Sequence, residues 1–433
     1  MNIEELNLAL PKSTIFLREG NKVLLLVPDK PDWVVANSKT AILLAMCNGS
    51  KKIKEIASCL PDDQQIEFVN LVTKLKKDNF FTEVSDEAND DKKFEDLKPH
   101  LNSIHLNMTS TCNLRCIYCY AEEREKIGTP LNKEEYKNVI NSLTSFAPDS
   151  DVTFTGGEPL LNPLTVEIAE LCKSRGLHTS LLSNGTLVNE ENVSQIANAF
   201  DSIRFSVDGS TEEIHDRLRG EGSWRKTMHA VELLDAAGQK VSLAMTVTKL
   251  NIGEISALSK KWGSRLSFQP LYKVGRAKNK DIGMTGQEYY DVLLRAPGVQ
   301  PYGKITEELA RMRNRKIGRC AIGAGEISLS PSGDVFPCHM LHVAKFCAGN
   351  VRQQTLENIY FDSKILKSIR CMSVTQREEC RDCPYRFLCS GGCWARTFYQ
   401  AGSFLAADPF CDYDIAAFRT AFFNILEDIH EKD

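Results

Sequence analysis

The chain of 433 residues contains no long apolar run and carries little net charge. No stretch reaches the roughly 18 consecutive apolar residues that a membrane-spanning helix needs. Residues 1–6 lack the basic and apolar regions of a secretory signal peptide. A formal net charge of −4 with 25% charged residues argues against a nucleic-acid footprint and against disorder. These absences predict a cytoplasmic protein that binds neither nucleic acid nor a membrane.

Cysteine, by comparison, is abundant. Fifteen cysteines in a cytoplasmic chain favour metal binding over disulfides. Nine of them lie between Cys320 and Cys411, and three lie in the loop 112–119. The remaining three fall in helix-like apolar patterns and are expected to be core residues: Cys47, Cys59 and Cys172.

The loop 112–119 has the most informative spacing. Three residues separate Cys112 from Cys116, and two separate Cys116 from Cys119. Three thiolates on one tight loop can hold three irons of a cubane cluster, which leaves the fourth iron open to a small molecule. A structural zinc site is the alternative, but zinc takes four protein ligands and no fourth cysteine or histidine lies nearby, since His105 belongs to the preceding strand-like run. The spacing therefore predicts a redox enzyme.

Two further motifs follow this loop along the chain. They are Thr155-Gly-Gly-Glu-Pro159, after an apolar run, and Ser206-Val-Asp-Gly209. Together with the cysteine loop they resemble the radical S-adenosylmethionine (SAM) superfamily. The resemblance implies a [4Fe-4S] cluster held by the three cysteines, whose open iron chelates the amino and carboxylate groups of SAM.

The resemblance also implies which residues contact SAM. Tyr118 can lie against the adenine, while the glycines and the acidic residue of the second motif can approach the methionyl amine. Polar residues at the ends of the next two strands are candidates for the ribose or the carboxylate, and Arg219 can pair with the carboxylate, with an ordinary salt bridge as its alternative. The predicted SAM contacts are Tyr118, Gly156, Gly157, Glu158, Ser183, Asn184, Ser206, Asp208 and Arg219.

Strand-like and helix-like segments alternate from residue 101 to about residue 272. The strand-like runs lie at 104–108, 152–154, 178–182, 203–207, 241–247 and 266–269. Six such units predict a parallel sheet with helices outside and ligands at the carboxyl ends of its strands. A partial (β/α)6 barrel fits the family resemblance, whereas the pattern alone does not separate it from a full eight-unit barrel.

The C-terminal cysteines follow a second pattern. Twelve residues separate Cys320 from Gly333, and four separate Gly333 from Cys338; the remainder is Cys380, Cys383, Cys389, Cys393 and Cys411. This order resembles the SPASM domain, which binds auxiliary clusters in radical SAM enzymes that modify peptides. A zinc ribbon is the alternative, because paired cysteines also form zinc sites.

The SPASM resemblance implies two auxiliary clusters. Cys320, Cys338 and Cys393 would hold the nearer one, and the outer one would be held by Cys380, Cys383, Cys389 and Cys411. The nearer cluster then needs a fourth ligand or keeps an open iron. Cys347 and Cys371 are both candidates, and Cys347 is favoured because it follows Cys338 closely, just before a turn.

The N-terminal block contains strand-like runs at 14–18, 22–27 and 33–37, followed by three helix-like stretches. The segment 31–49 and the Ile53-Lys-Glu-Ile56 that follows it are similar to precursor-peptide recognition elements, whose relatives include the small chaperone of pyrroloquinoline quinone biosynthesis. That resemblance implies a winged-helix-like domain in which an extended leader peptide pairs with a free sheet edge. A plain winged-helix accessory domain is the alternative.

We therefore expect an α/β chain with an α+β domain before the partial barrel and a cysteine-rich domain after it. The expected parts are a leader-recognition domain at 1–83, a linker at 84–99, a radical SAM domain at 100–318 and a SPASM iron-sulfur domain at 319–433. The linker is expected because its residues are mostly acidic or lysine and show no periodicity.

The combined resemblance implies a radical SAM oxidoreductase that installs an oxidative crosslink, carbon-carbon or thioether, in a ribosomally made precursor peptide. The implied cofactors are SAM and three [4Fe-4S] clusters. The implied partners are the precursor, bound through its leader, and an external electron donor of flavodoxin or ferredoxin type. An anaerobic sulfatase maturase and a peptide epimerase are alternatives. The former family carries an Asp directly after the second SPASM cysteine, where this chain has His339, and it lacks a leader-binding domain.

Overall fold

The computed structural model describes residues 2–81, 99–123 and 128–430, so the predicted linker at 84–99 lies outside the described residues except for residue 99. The N-terminal part has three strands followed by three helices. Their bounds lie close to the predicted ones: β1 (Ile15–Glu19), β2 (Lys22–Val27), β3 (Asp32–Asn37), α1 (Ser38–Ala45), α2 (Ile53–Ala57) and α3 (Asp62–Lys77). The strands form an antiparallel sheet in the order β1-β2-β3. Asn37 ends the sheet and caps α1, because its side chain accepts a hydrogen bond of 2.8 Å from the Thr40 N–H.

Both faces of this small sheet are covered. On one face, Leu25 and Val34 pack with the three helices. On the other face, Leu24, Leu26 and Trp33 pack against residues from the C-terminal end of the chain, namely Tyr385, Leu388, Phe418 and Phe422. The N-terminal part therefore shares a core with the C-terminal part.

The central part alternates strands and helices as predicted. Its elements are β4 (Ser103–Thr109), α4 (Lys133–Phe146), β5 (Asp151–Gly156), α5 (Thr165–Ser174), β6 (Thr179–Ser183), α6 (Val193–Ala199), β7 (Ser202–Ser206), α7 (Glu212–Arg219), α8 (Ser223–Ala236), β8 (Val241–Val247), α9 (Ile255–Trp262) and β9 (Leu266–Pro270). The six strands are parallel and lie side by side in chain order. The predicted α/β core is confirmed.

Alternation along each strand determines which face meets the helices. In β8, Val241, Leu243 and Met245 are fully buried, while Ser242 and Thr246, at the alternate positions, are partly exposed. The apolar residues belong to the large core formed with the surrounding helices. Because side chains alternate along a strand, the polar residues lie on the opposite face of the sheet.

The C-terminal part contributes three strands and most of the remaining helices. They are α10 (Gly286–Arg295), α11 (Gly303–Met312), β10 (Glu326–Leu329), β11 (Asp334–Phe336), β12 (Gly349–Asn350), α12 (Leu356–Asp362), α13 (Lys364–Arg370), α14 (Glu378–Arg381), α15 (Arg386–Cys389), α16 (Trp394–Ala401) and α17 (Cys411–His430). Among the helices in the described part of the chain, none has the length and apolarity needed to cross a bilayer.

One strand of this part joins the central sheet. β10 pairs in parallel with β4, so that Ile327 lies beside Ile104 and Leu329 beside Leu106, all of them buried. The result is a nine-stranded sheet in the order β12-β11-β10-β4-β5-β6-β7-β8-β9. The cysteine-rich part thus continues the sheet whose other strands belong to the barrel. The domain boundaries given above stay predictions.

Three cysteines were expected to be core residues on sequence grounds. Cys47 and Cys172 are buried as expected. Cys59 is exposed, so that expectation was wrong for this residue. It lies just beyond the end of α2, where the chain turns towards α3.

Candidate active site and iron-sulfur cradles

The first cysteine loop follows the carboxyl end of β4. Cys112, Cys116 and Cys119 are partly buried and lie close enough for each thiol to influence the others electrostatically. Burial raises the pKa of the Cys112 and Cys116 thiols. The Leu114 N–H lies 3.4 Å from Cys112 Sγ, in position to donate to a thiolate. Three converging soft thiols are a donor set that suits an iron-sulfur cluster.

The two glycines of the next motif hold this loop in place. Gly157 N–H donates to Thr109 O at 2.7 Å, and a Cβ at Gly157 would lie 2.2 Å from Thr111 O. A Cβ at Gly156, which has a φ of 131°, would lie 2.4 Å from Thr109 O. The glycines are thus required for the close packing of the chain against the segment before Cys112. Their predicted contact with SAM stays a prediction.

Glu158 was predicted to reach the methionyl amine, but its carboxylate is bound within the protein. It is completely buried and accepts hydrogen bonds from Ser183 Oγ at 2.8 Å, Asn184 N at 2.8 Å and Leu160 N at 3.1 Å. Burial raises the pKa of Glu158, while the bonds from Asn184 and Ser183 oppose that effect. The carboxylate therefore joins the ends of β5 and β6.

Asn184 connects this network to the cysteine loop. Its Nδ2 donates to Asn113 Oδ1 at 2.9 Å and lies 3.9 Å from Cys112 Sγ. Ser206 ends β7, two strands from β5. The structure therefore brings the ends of β5, β6 and β7 to the edge of the sheet where the cysteine loop begins.

Asp208 and Arg219 form a buried ion pair. Asp208 accepts hydrogen bonds from Arg219 Nε, from the Tyr118 hydroxyl and, at 2.7 Å, from Thr246 N. Burial alone would lower the pKa of Arg219, but the Asp208 carboxylate raises it, so the guanidinium stays charged. The salt bridge considered as the alternative for Arg219 is present, at the end of α7.

The ion pair lies beside the cysteine loop. Arg219 Nη1 is 4.0 Å from Cys116 Sγ, where a positive charge stabilises a thiolate. The Tyr118 hydroxyl donates its hydrogen bond to Asp208. A contact of Tyr118 with adenine would therefore use the ring or the main chain. SAM contacts of Tyr118, Asp208 and Arg219 remain predictions.

Four of the C-terminal cysteines line a cavity of about 410 Å³: Cys320, Cys338, Cys389 and Cys393. Cys320, Cys338 and Cys393 influence one another electrostatically, whereas Cys389 is influenced by cysteines of a second group. Burial raises the pKa of Cys320 to about 11 and raises that of Cys338 well above its usual value. We call this cavity the near cradle. Its size and the thiols of Cys320, Cys338 and Cys393 fit a cubane cluster.

Four other cysteines form a second group. Cys411 has its pKa raised to about 11 by burial and by the neighbouring Cys383 and Cys380. Cys389 is influenced by the same two cysteines. Cys380, Cys383, Cys389 and Cys411, which we call the outer cradle, thus lie together as the predicted ligand set requires.

Cys347 and Cys371, the two candidates for a fourth ligand of the nearer cluster, lie elsewhere. Neither lines the near cradle. Cys347 Sγ lies 3.7 Å from Gly349 O and 3.9 Å from Asp334 Oδ1, and Cys371 is exposed at the end of α13. The structure therefore gives no support to either cysteine as the fourth ligand.

A cluster of polar residues that the sequence did not reveal lies at the near cradle. His339 Nδ1 lies 2.8 Å from Glu326 Oε1, and His105 Nε2 lies 3.6 Å from the same oxygen. The two imidazole rings stack with centroids 4.5 Å apart. Burial alone would raise the pKa of Glu326, but the bond from His339 and the proximity of His105 hold it at about 2. The position of His339 next to Cys338 was the one sequence signal for this cluster.

Two parts of the chain match families of known proteins. Residues 106–260 match the Radical SAM superfamily, and residues 320–384 match the SPASM iron-sulfur cluster-binding domain. The chain is a radical SAM enzyme. Together the two matches span about half of it, and they contain all three cysteines of the first loop.

Its relatives among curated proteins include enzymes of two kinds. The AdoMet-dependent heme synthase of Methanosarcina barkeri is 28% identical over 342 residues, which are 72% of this chain and 96% of the relative. The mycofactocin maturase MftC of Mycobacterium tuberculosis is 25% identical over 319 residues, which are 70% of this chain and 81% of the relative. These matches extend the likeness to radical SAM enzymes over most of the chain.

Solved structures support the same fold for this radical SAM enzyme. The structure of anSMEcpe with bound AdoMet has a TM-score of 0.63 at 21% identity and covers 76% of this chain and all of that one. The structure of Streptococcus suis SuiB bound to precursor peptide SuiA has a TM-score of 0.57 at 14% identity and covers 93% of this chain and 98% of that one. The likeness to SuiB thus extends beyond the part shared with anSMEcpe.

Proposed function

We propose that this radical SAM enzyme installs an oxidative crosslink, carbon-carbon or thioether, in a ribosomally synthesised precursor peptide. The observation that carries the proposal is the combination of two auxiliary cradles with an N-terminal sheet and helix unit. SuiB, whose structure was determined with a precursor peptide, matches 93% of this chain, whereas anSMEcpe matches 76%. The likeness to the maturase MftC also favours a peptide substrate.

The electron balance explains why auxiliary clusters suit such a reaction. When bound, a reduced cluster and SAM supply a 5′-deoxyadenosyl radical that takes one hydrogen atom from the peptide. Bond formation to a second group releases a proton from that group and leaves one electron over. That electron needs an acceptor, which is the role we assign to clusters in the near and outer cradles. An external donor of flavodoxin or ferredoxin type would supply the first electron.

Buried polar residues beside the first cysteine loop would hold that loop in position. Glu158 joins the strand ends beside the cysteine loop, and Arg219, held by Asp208, keeps a positive charge near Cys116. These groups are buried and fixed by hydrogen bonds, so little reorganisation is needed when a cofactor binds. Their role is therefore to position the loop and its thiolates.

The first expected result is a peptide product that is lighter than the precursor. We expect the purified enzyme, with SAM and a reductant, to convert the precursor encoded by a neighbouring small open reading frame to a product lighter by about 2 Da per bond. The loss corresponds to the transferred hydrogen atom and the released proton. Mass spectrometry of the intact peptide and of its fragments measures the change and the joined residues.

Other products would assign the enzyme differently. An unchanged mass with one inverted α-carbon would identify an epimerase, and formylglycine on a sulfatase peptide would identify a sulfatase maturase. Heme formation by the purified enzyme would assign it the activity named for the Methanosarcina barkeri relative. Each of these results, without a crosslink, would overturn the proposal.

We further propose that the leader of the precursor adds a strand to the N-terminal sheet. Glu19 pairs with Lys22 across a two-residue turn, and the same register places Phe16 opposite Leu25 and Leu24 opposite Val35. The pair that closes a two-residue hairpin exchanges main-chain hydrogen bonds, and from there hydrogen-bonded and non-hydrogen-bonded pairs alternate along the strands. This parity directs the main-chain N–H and C=O of Phe16 away from β2 at one edge of the sheet. It directs those of Val35 away at the other edge. The edge of β1 can therefore accept an extended peptide by main-chain hydrogen bonds. The edge of β3 can do so only beyond Trp33, because the Trp33 carbonyl already accepts from Arg313 Nη2 at 2.6 Å and the Pro31 carbonyl from the Asn314 N–H at 2.6 Å.

Proline substitution tests both edges in the same way. Phe16→Pro and Val35→Pro each remove one outward-facing N–H and retain the pairing with β2. At the edge that binds the leader, the loss of one hydrogen bond should raise KM for the full precursor roughly tenfold and leave turnover of a leaderless core peptide unchanged. Phe16→Thr and Val35→Thr, which keep the N–H, are the matched controls.

The two proline variants together test whether the leader adds a strand at all. If neither proline variant changes KM for the full precursor, strand addition is wrong. Deleting the N-terminal part is a poorer test, because it would expose Tyr385, Phe418 and Phe422, which pack against the sheet. Point substitutions leave that shared core intact.

A further inference from the structure

We propose that the outer edge of β9 binds a core segment of the precursor peptide as an added strand, with an apolar peptide side chain at every second residue. This assignment rests on the proposed peptide substrate. β9 is the terminal strand of the nine-stranded sheet, at the end opposite β12. One of its edges therefore has no partner strand within the part of the chain that the structure describes.

Main-chain parity in β8 decides which groups of β9 face that outer edge. The Ala244 carbonyl accepts from the Val207 N–H, so Ala244 directs its main-chain groups towards β7. Its neighbour Met245 then directs its own groups towards β9, where it lies beside Phe268. In a parallel pair, such a residue bonds to the two residues that flank its partner. Phe268 therefore directs its N–H and C=O away from β8.

The neighbours of Phe268 in β9 support the same orientation. The N–H of Leu266, two residues earlier, bonds to Gly263 O of the preceding turn. Pro270, two residues later, has no N–H, which suits a position that donates nothing to the ladder with β8. Among the described residues, none forms a hydrogen bond with the main chain of Phe268 from the outer side. One donor and one acceptor are thus available at the centre of the edge.

An apolar groove of about 1030 Å³ lies along this edge. Its volume equals that of the largest small-molecule pockets, about 1,000 Å³, so it has room for a short peptide segment. One side of the groove is formed by β9, and the other carries apolar residues of α10, of α11 and of the segment between them: Tyr289, Leu293, Pro297, Val299, Pro301 and Ile305. Unpaired main-chain groups beside an apolar wall are complementary to an extended peptide, which pairs through its backbone and inserts alternate side chains.

The alternation of side chains in β9 indicates the pattern that the peptide needs. Leu266 and Phe268 pack against the core shared with the helices, whereas Ser267 and Gln269 lie on the opposite face of the sheet. An added strand continues this alternation. Every second side chain of the peptide then enters the groove between the helices, where an apolar side chain is favoured. The side chains between them face the inside of the sheet.

The position of the groove favours the core of the precursor over its leader. Asp414, near the start of α17, lines both the groove and the near cradle. A peptide segment in the groove therefore lies beside the place where we propose that an electron leaves the substrate. The leader, by contrast, is assigned above to the N-terminal sheet.

Peptide binding by full-length, anaerobically reconstituted enzyme tests the strand addition. The probe is a fluorescein-labelled, leaderless core peptide of the precursor encoded by the neighbouring small open reading frame. Phe268→Pro removes the outward N–H and keeps the ladder with β8, so the Kd measured by fluorescence anisotropy should rise roughly tenfold. Phe268→Val, which also loses the ring but keeps the N–H, is the matched control and should bind more tightly than the proline variant. SAM cleavage without peptide should be unchanged in both.

A second substitution tests the groove without touching β9. Ser264 is exposed and lines the groove, so Ser264→Trp fills part of it and should also raise the Kd. Ser174→Trp, at an exposed serine that ends α5 and lies outside the groove, is the matched control. This pair decides the assignment if Phe268→Pro loses its iron through misfolding.

The outcomes separate this assignment from the proposed function. A Kd that is unchanged in Phe268→Pro and Ser264→Trp, or no binding of the core peptide to the unaltered enzyme, would overturn the groove assignment. A crosslink formed by the same enzyme would leave the proposed function standing. Equal Kd values for Phe268→Pro and Phe268→Val would overturn strand addition, and a dimer of the unaltered enzyme that Phe268→Pro dissociates would assign the edge to a second copy of the chain. If no peptide is modified at all, the proposed function fails and the assignment fails with it.

Discussion

Replacing Cys112, Cys116 and Cys119 together by alanine should abolish formation of 5′-deoxyadenosine and lower the iron content from about twelve to about eight per chain. The reason is that these three thiols converge on one loop, whereas the seven SPASM cysteines form the near and outer cradles elsewhere in the chain, with Cys389 adjoining both. Anaerobic reconstitution, an iron assay and chromatography of the SAM cleavage products measure both effects.

A control substitution makes this result specific. Cys59 is exposed on the N-terminal part, so Cys59→Ala should retain all the iron and full SAM cleavage. Retention of about twelve irons by the triple variant would show that the loop does not hold a cluster. Stoichiometric zinc in the C-terminal cradles would contradict the iron-sulfur assignment there.

Cys338→Ser and Cys383→Ser, made separately, should permit 5′-deoxyadenosine formation but block the crosslink. Cys338 lines the near cradle and Cys383 belongs to the outer one, so each variant damages one proposed electron acceptor. The substrate radical then cannot lose its electron and returns to starting mass by taking up a hydrogen atom. Parallel assays of 5′-deoxyadenosine and of the mass of the precursor distinguish the two steps.

The informative comparison is between SAM cleavage and crosslinking of the precursor in the same variant. Loss of both activities would indicate that the cradles maintain the fold, and a retained crosslink would remove the auxiliary clusters from the reaction. Cys371→Ser is the matched control, because this exposed cysteine lies outside the near cradle. It should keep both activities.

The sequence allowed the strands and helices of the barrel to be predicted because the alternation of apolar and polar residues is local. In β8, for instance, the buried and partly exposed residues alternate over the whole strand. The pairing of β10 with β4 was not predictable in that way. β10 has only four residues, and its partner lies more than 200 residues away in the chain.

The roles of the polar site residues could be predicted only in part. Glu158 was identified from its motif, but its partners Ser183 and Asn184 come from another strand end and become apparent only in the folded chain. The cluster of His105, Glu326 and His339 likewise joins three separate segments. Partners of buried polar groups depend on tertiary contacts, which local patterns do not encode.

One missed feature did leave a signal in the sequence. The run Leu24-Leu25-Leu26-Val27 in β2 has no alternation, which is typical of a strand buried on both faces. This run indicates that the N-terminal sheet has a second partner besides its own helices. The structure identifies that partner as the C-terminal end of the chain.

The pairing of β10 with β4 limits how the two redox sites can move relative to each other. The first cysteine loop extends from the carboxyl end of β4, and the near cradle is built around the hairpin that begins with β10. A continuous ladder of main-chain hydrogen bonds therefore fixes the separation of these sites. If clusters are held at both sites as proposed, electron transfer between them would be controlled by distance and driving force and would not wait for a hinge motion.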